Sequence, residues 1–377
     1  MPFERALRVL LVGENHRAEI RGRTIAIHGL ACALRDRGHD VTLVQAALPE
    51  HRVAIDGVRM RYIATTRKSL YPLRFLPLAT RGYDVVHTND EAGAYLALRG
   101  RLARLPLVAH FHPPHVRQDS FWHSNWRWRY IGMAARLAPT RVVPSAWLGG
   151  ALAERYALDP ATLHVLPSGV KEDWFKARRA PASAAGGALR IALVNMKGVD
   201  VALRALARVS AQLDPAVRLE LYGVDRKCEE HAALARELGV ARRIRFEGFI
   251  AHSEMPERIG GADIVLHPSR GESFGQVLAE AAALGIPVVS SRTHAIPEVV
   301  ADGETGLLCP VDDVDAFAHA LARLLASGEL RRRLGDAARR RAEREWRWER
   351  IAARLEDEVY APCIARNSGS LRAPGRN

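Results

Sequence analysis

The stretch LHPSRGESFGQVLAEAAALGIPVVSS, residues 266–291, decides how this 377-residue chain is read. Ala262–His267, at its left edge, is a short apolar, β-branched run of the kind that forms a buried strand. A turn at Pro268–Gly271 follows, then an Ala-, Leu- and Glu-rich helix from about Phe274 to Leu284. Gly285 stands where such a helix ends, Pro287 lies two residues on, and Val288-Val289 opens the next strand. Parallel α/β sheets bind ligands in this setting, at the carboxyl ends of their strands. Backbone amides of Ser273–Gly275 at the helix start suit a phosphate, and the carboxylates of Glu272 and Glu280 suit sugar hydroxyls. A phosphorylated sugar or a nucleotide is the implied ligand class.

The same alternation runs through the rest of the chain. Upstream, Leu7–Gly13, Asp40–Gln45, Asp84–His87, Leu107–Phe111, Arg141–Pro144 and Leu163–Leu166 read as strands. Thr24–Arg37 reads as a helix that ends near Gly38. The Pro/Ala/Gly/Ser stretch 177–188 changes composition in the manner of a linker. A second series then begins, with strands at Leu189–Val194, Val217–Tyr222, Ile244–Phe249, Ala262–His267 and Val288–Ser290. Helices fall near Val199–Leu213 and Cys228–Leu238, and a helical run interrupted near Gly328 spans about Val314–Tyr360. Trp346, Ile351 and Leu355 stand at spacings that fit one apolar stripe of its last part. Two doubly wound parallel α/β domains are predicted.

Length alone favours two domains, because 377 residues exceed what one core organises. No apolar run approaches the roughly 18 residues of a membrane span. Acidic Glu4 interrupts the signal-peptide layout, and the four cysteines have no metal-ligand or redox spacing, so a reducing cytoplasm is expected. Net charge is +13, and residues 1–170 hold 23 Lys+Arg against 13 Asp+Glu, leaving 32 against 29 for the remainder. A basic first half suits a phosphorylated acceptor, an anionic membrane or nucleic acid; a solvated Arg-rich surface is the plainer reading. No nucleic-acid motif accompanies the charge, so that partner ranks last.

Residues 248–310 resemble the donor-binding half of glycosyltransferase family 4, the retaining GT-B enzymes. The matching words are GFI (248–250), ADIVLHPSRGESFG (262–275), LAEAAALGIPVVSS (278–291), IPEVV (296–300) and DGETGLL (302–308). Glu272 and Glu280 form the E-x7-E signature. Weaker echoes, RGHDVTLV (37–44), DVVHTND (84–90), LVAHFH (107–112), VVPSAWL (142–148) and LPSGV (166–170), extend the resemblance to roughly residues 7–360. It implies two Rossmann-like domains facing a central cleft, with a C-terminal helix at about 345–362 crossing back to the first. The expected boundaries are 1–170 for the acceptor-side domain, 171–188 for the linker, 189–344 for the donor-binding domain and 365–377 for a disordered tail.

The resemblance also implies roles. Glu280 would bind ribose hydroxyls, Glu272 hydroxyls of the transferred sugar, and the amides of Ser273, Phe274 and Gly275 the diphosphate. The plainer alternatives are a solvated helix carboxylate for Glu280, a helix cap for Glu272 and an ordinary turn for the rest. Lys197 would face the leaving diphosphate. The family's accompanying Arg has no counterpart in VNMKG (194–198), and Asn195, Arg226 or Arg270 are the candidates to replace it. His112 would lie against the donor sugar; its neighbours His110 and His115 lack a carboxylate or Cys at metal-ligand spacing. Gly22 stands in the place of the family's glycine-rich loop, where backbone approaches a phosphate. Trp122 and Trp126, in FWHSNWRWRY (121–130), fit either core packing or contact with an acceptor or membrane.

Metal-independent transfer from a nucleotide-diphosphate sugar to a sugar, lipid-linked or small-molecule acceptor is the expected activity, with no cofactor. Cell-surface glycan or natural-product biosynthesis is the setting it suggests, in the cytoplasm or on the inner face of the plasma membrane. A non-catalytic sugar-nucleotide-binding subunit is the alternative.

Overall fold

The computed structural model describes residues 3, 5–14, 22–46, 52–63, 75, 77–103, 105–112, 126–177, 188–210, 217–223 and 227–369. The chain divides into two compact units, residues 1–169 with 348–377, and residues 170–347.

The first unit holds a seven-stranded sheet. Its strands are β1 (Arg8–Glu14), β2 (Asp40–Ala46), β3 (Arg59–Ile63), β4 (Val85–Asn89), β5 (Leu107–His110), β6 (Thr140–Val143) and β7 (Leu163–Val165). All pair in parallel, in the order β3-β2-β1-β4-β5-β6-β7. Val9–Val12 of β1 are sealed from solvent, as expected of a central strand covered on both faces. Strand order reverses between β1 and β4, which opens a crevice at their carboxyl ends.

The second unit repeats the plan with six strands: β8 (Arg190–Val194), β9 (Arg218–Tyr222), β10 (Ile244–Gly248), β11 (Ile264–His267), β12 (Val288–Ser291) and β13 (Gly306–Cys309). They too pair in parallel, in the order β10-β9-β8-β11-β12-β13, and the reversal lies between β8 and β11. The quoted stretch is the end of β11, the helix Gln276–Ala283 and all of β12.

Several boundaries differ from the sequence reading. The expected linker 171–188 begins with a helix, Glu172–Lys176, that buries Trp174 and Phe175 in the core of the second unit. Two adjacent large aromatics are what draws this segment in; residues 178–187 lie outside the described residues. The expected tail 365–377 starts inside a further helix, Ala361–Gly369, anchored by buried Cys363. Residues 370–377 lie outside the described set.

The proposed stripe of Trp346, Ile351 and Leu355 is split. Trp346 ends the helix Gly328–Glu345 and packs edge-on against Phe274 of the second unit, ring centroids 6.2 Å apart. The carbonyl of Trp346 accepts a hydrogen bond from Val170 N, which pulls the backbone out of helical register. Ile351 and Leu355 lie beyond that break, in the core under β1 and β2 of the first unit. Edge strands β3 and β13 were not read from the sequence.

Candidate functional site

The centre of the second unit lies at its strand reversal. β8 ends at Val194, and the next residues turn tightly, with positive φ at Asn195 (66°), Met196 (52°) and Gly198 (68°). A Cβ on Gly198 would come within 2.0 Å of the Pro268 carbonyl oxygen, so only glycine lets this turn lie against the turn after β11. That close approach delivers Lys197 to Glu272, Nζ to Oε1 2.6 Å. His267, the last residue of β11, reaches the same Oε1 through Nε2 at 2.8 Å. The Glu272 side chain is only 13% exposed. Burial works against its charge, but Lys197 and His267 outweigh that and hold the carboxyl well below the usual carboxylate range.

Gly275 then starts the helix with φ 98°, a left-handed conformation open to glycine, and no side chain caps the helix. Glu272 is therefore not its cap. Phe274 points into the core, so its part in any ligand contact falls to its backbone. Two turns of chain later, Glu280 is 5% exposed and thus no solvated carboxylate. Its Oε1 meets His252 Nε2 at 3.0 Å and accepts from Gln276 Nε2 at 3.1 Å. His252 is backed by buried Trp174, ring centroids 5.6 Å apart. The unit thus brings together Lys197, Glu272, Ser273, Phe274, Gly275 and Glu280, two carboxylates each fixed by a histidine and a second donor.

Neither histidine was singled out in the sequence. His267 lies inside the quoted stretch, five residues before Glu272, and could have been found there. His252 is 28 residues from Glu280, and nothing in the sequence links them. The candidates for the missing Arg divide. Arg270 is engaged by Asp200 at 2.7 Å and Asp312 at 2.8 Å, and hydrogen bonds to Asp200 and then Asp312 raise its pKa. A guanidinium fixed between two carboxylates carries little net charge to a ligand. Asn195 is exposed beside the turn, and Arg226 lies outside the described residues.

His112 and Gly22 belong to the first unit. His112 follows β5; its backbone N–H donates to Asp90 Oδ1 at 2.5 Å, and its ring lies against that of His110, centroids 4.0 Å apart and planes tilted by 39°. Asp90 follows β4 with φ 49°, a conformation Asp tolerates better than most residues. Gly22 opens the helix Gly22–Asp36, while residues 15–21 and His115 lie outside the described set. So do Trp122 and the side chain of Trp126. Their neighbour Trp128 is packed in the core, its carbonyl accepting a hydrogen bond from the Tyr156 hydroxyl.

Known proteins match both units. The family model for glycosyl transferases group 1 covers residues 191–341, and that for glycosyltransferase family 4 covers residues 20–174. The MMP alpha-(1->4)-mannosyltransferase of Mycolicibacterium hassiacum is 33% identical over 79% of this chain and 75% of its own length. A glycogen synthase of Mycobacterium tuberculosis is 28% identical over 80% of this chain and 72% of its own. Among solved structures, sucrose-phosphate synthase from Thermosynechococcus elongatus superposes with a TM-score of 0.78 over 95% of this chain and all of its own, at 22% identity. That likeness establishes the fold, two Rossmann-like units of the GT-B type. With both family models matched in series and a relative this similar, the chain belongs to the glycosyl transferases of group 1, family 4 type, and is a glycosyltransferase.

Proposed function

We propose that the second unit holds a nucleoside diphosphate sugar and that the enzyme passes the sugar, with retention of configuration, to an acceptor hydroxyl. The observation that carries this is the pair of donor-held carboxylates eight residues apart, Glu280 buried and Glu272 largely so, with Glu272 already joined to a lysine. Glu280 accepts hydrogen bonds from ribose hydroxyls, and His252 and Gln276 keep it from rotating away. Glu272 accepts from hydroxyls of the transferred sugar. Because Lys197 has three N–H donors, it can keep Glu272 and still donate to a phosphate oxygen.

The reaction needs no protein nucleophile. The acceptor oxygen attacks the anomeric carbon on the face the phosphate leaves, and the departing phosphate oxygen takes the acceptor proton. Lys197 and the amides of residues 273–275 stabilise the charge that develops on the diphosphate, the usual source of the largest catalytic term. With Arg270 held by two aspartates, Lys197 is the cation among the described candidates on which this load falls. The family resemblance assigns His112 to the donor sugar. No metal or cofactor enters this reading.

Several relatives carry mannosyltransferase names, among them a GDP-mannose-dependent alpha-(1-6)-phosphatidylinositol monomannoside mannosyltransferase of Mycobacterium tuberculosis, 32% identical over 55% of this chain. GDP-mannose is therefore the first donor to test, and a glycan or lipid-linked glycan the first acceptor class. No described helix is long and apolar enough to cross a membrane. The basic first half makes peripheral contact with an anionic membrane part of the proposal. That the relatives are named as enzymes weighs against a non-catalytic binding subunit. The test is turnover of GDP-mannose, UDP-glucose and ADP-glucose against a panel of sugar and lipid-linked acceptors, with the product anomer read by NMR. Retention with one donor supports the proposal; inversion, or donor binding without turnover on any acceptor, overturns it.

A further inference from the structure

The first unit contains a chain of buried polar groups that the roles above do not use. In the C-terminal segment, residues Leu355–Tyr360 form a π-helical turn, a rare form often found at functional sites. It presents Tyr360, fully buried, to His87 of β4: the hydroxyl lies 2.8 Å from Nδ1. His87 Nε2 in turn lies 3.3 Å from Nδ1 of His110 on β5, and the His110 ring lies tilted against that of His112.

Hydrogen-bond accounting sets the protons. His87 Nδ1 is the one hydrogen-bond partner of the Tyr360 hydroxyl among the described residues. If His87 donated from Nδ1, the buried phenolic proton would have no acceptor. Tyr360 therefore donates to His87 Nδ1, His87 donates from Nε2 to His110 Nδ1, and His110 carries its proton on Nε2. That N–H is buried and has no protein acceptor among the described residues; Asn89 Oδ1 and Trp348 Nε1 are likewise buried without a partner. Asn89 is oriented by its amide, which donates to Val12 O at 3.1 Å. Trp348 is clamped, since a Cβ on Gly29 or Gly169 would come within 2.3 or 2.4 Å of its indole.

Asn89, His110 and Trp348 line one small cavity, together with His112, at the strand reversal of the first unit. It leaves about 10 Å³ for the centre of a water molecule, the least that one buried water needs. Two N–H donors and one carbonyl acceptor are complementary to a single water.

We propose that Asn89 Oδ1, His110 Nε2 and Trp348 Nε1 bind one buried water, which completes the chain from Tyr360 through His87 and fixes His110 as the Nε2–H tautomer against His112. His110 is then a positioning residue, presenting an uncharged face of fixed polarity to His112. Burial, and next His112, lower the pKa of His87 to about 3, and burial lowers that of His110 well below its ordinary value, so both stay neutral. The catalytic bearing of the array rests on the reading of His112 as a donor-sugar residue; the water site itself does not.

The test is a high-resolution crystal structure of the full chain together with long-range ¹H–¹⁵N spectra of its histidines. One water within hydrogen-bond distance of all three atoms is expected, with His87 and His110 both protonated on Nε2 from about pH 5 to 8. A dry cavity, or His110 protonated on Nδ1, overturns the inference. Tyr360→Phe should convert His87 to a mixture of tautomers and shift the His112 resonances; unchanged spectra would count against the chain. Should that variant fail to fold, the wild-type structure and spectra still decide. A failed donor-site reading would show as absent nucleotide-sugar binding and would leave these spectra untouched.

Discussion

The strand reversals of the two units use opposite electrostatics. In the second, a buried carboxylate keeps its charge because Lys197 and His267 surround it. In the first, three ring side chains are buried with no ion pair to any of them among the described residues: Tyr360, His87 and His110 share protons rather than charges. The same backbone plan thus supports an ionic site and a neutral one. Ionic groups suit a diphosphate, whose charge must be met, whereas neutral rings suit a sugar, which offers hydroxyls and carbon faces. The difference also means that the two sites fail under different perturbations.

The largest effect should come from the ionic site. Lys197→Ala leaves Glu272 with His267 alone and, on the proposed reading, the diphosphate without a cation, and should cost about 10²–10³-fold in kcat, or about 2.7–4 kcal/mol. Steady-state kinetics with the preferred donor check this; a loss confined to KM would mean that Lys197 binds without stabilising the leaving group.

Acid should act on the neutral site first. His87 titrates near 3 when folded against 6.5 when free, so the unfolded chain binds the extra proton as pH falls through that window. His110, also held neutral by burial, adds to the decline; the His87 share is full above pH 6.5 and falls by about 1.4 kcal/mol per pH unit toward 3. Over two units that is about 3 kcal/mol, read from denaturant unfolding followed by first-unit probes. His87→Phe should flatten the slope by one proton. The Glu272 carboxylate, held at low pKa, keeps its charge over the same range.

His267→Phe removes one charge-assisted hydrogen bond from Glu272 and should cost about 1.5–3 kcal/mol in kcat/KM, with His267→Gln recovering part of it. Activity equal to wild type would show that Lys197 alone holds the carboxylate. Smallest of all, Arg270→Ala breaks half-exposed ion pairs with Asp200 and Asp312 and should change stability by about 0–1 kcal/mol. If it abolished transfer instead, Arg270 would be the cation missing from the 195–198 turn.

The sequence made the central strands legible because they are apolar on both faces. β3, RMRYI, carries two arginines at a sheet edge and is largely accessible, so its pattern is that of a surface loop. β13, GLLC, is four residues long and opens with a glycine, too short for a periodic signal. Site residues were legible where they share one stretch, as Glu272 to Glu280 do. They were hidden where the sheet makes the neighbours. Asn89 and His110 are adjacent because β4 and β5 pair in that register, and Tyr360 reaches His87 from 273 residues away. The π-helical turn that aims it has no sequence pattern of its own.

The account stands most directly on the second unit as the donor site. The decisive measurement is the shift in melting temperature given by UDP-, GDP-, ADP- and dTDP-sugars, for the wild type and for Glu280→Ala. One nucleotide class should stabilise the wild type, and the substitution should remove most of that shift. No stabilisation by any of them, or an equal response from Glu280→Ala, would contradict the assignment.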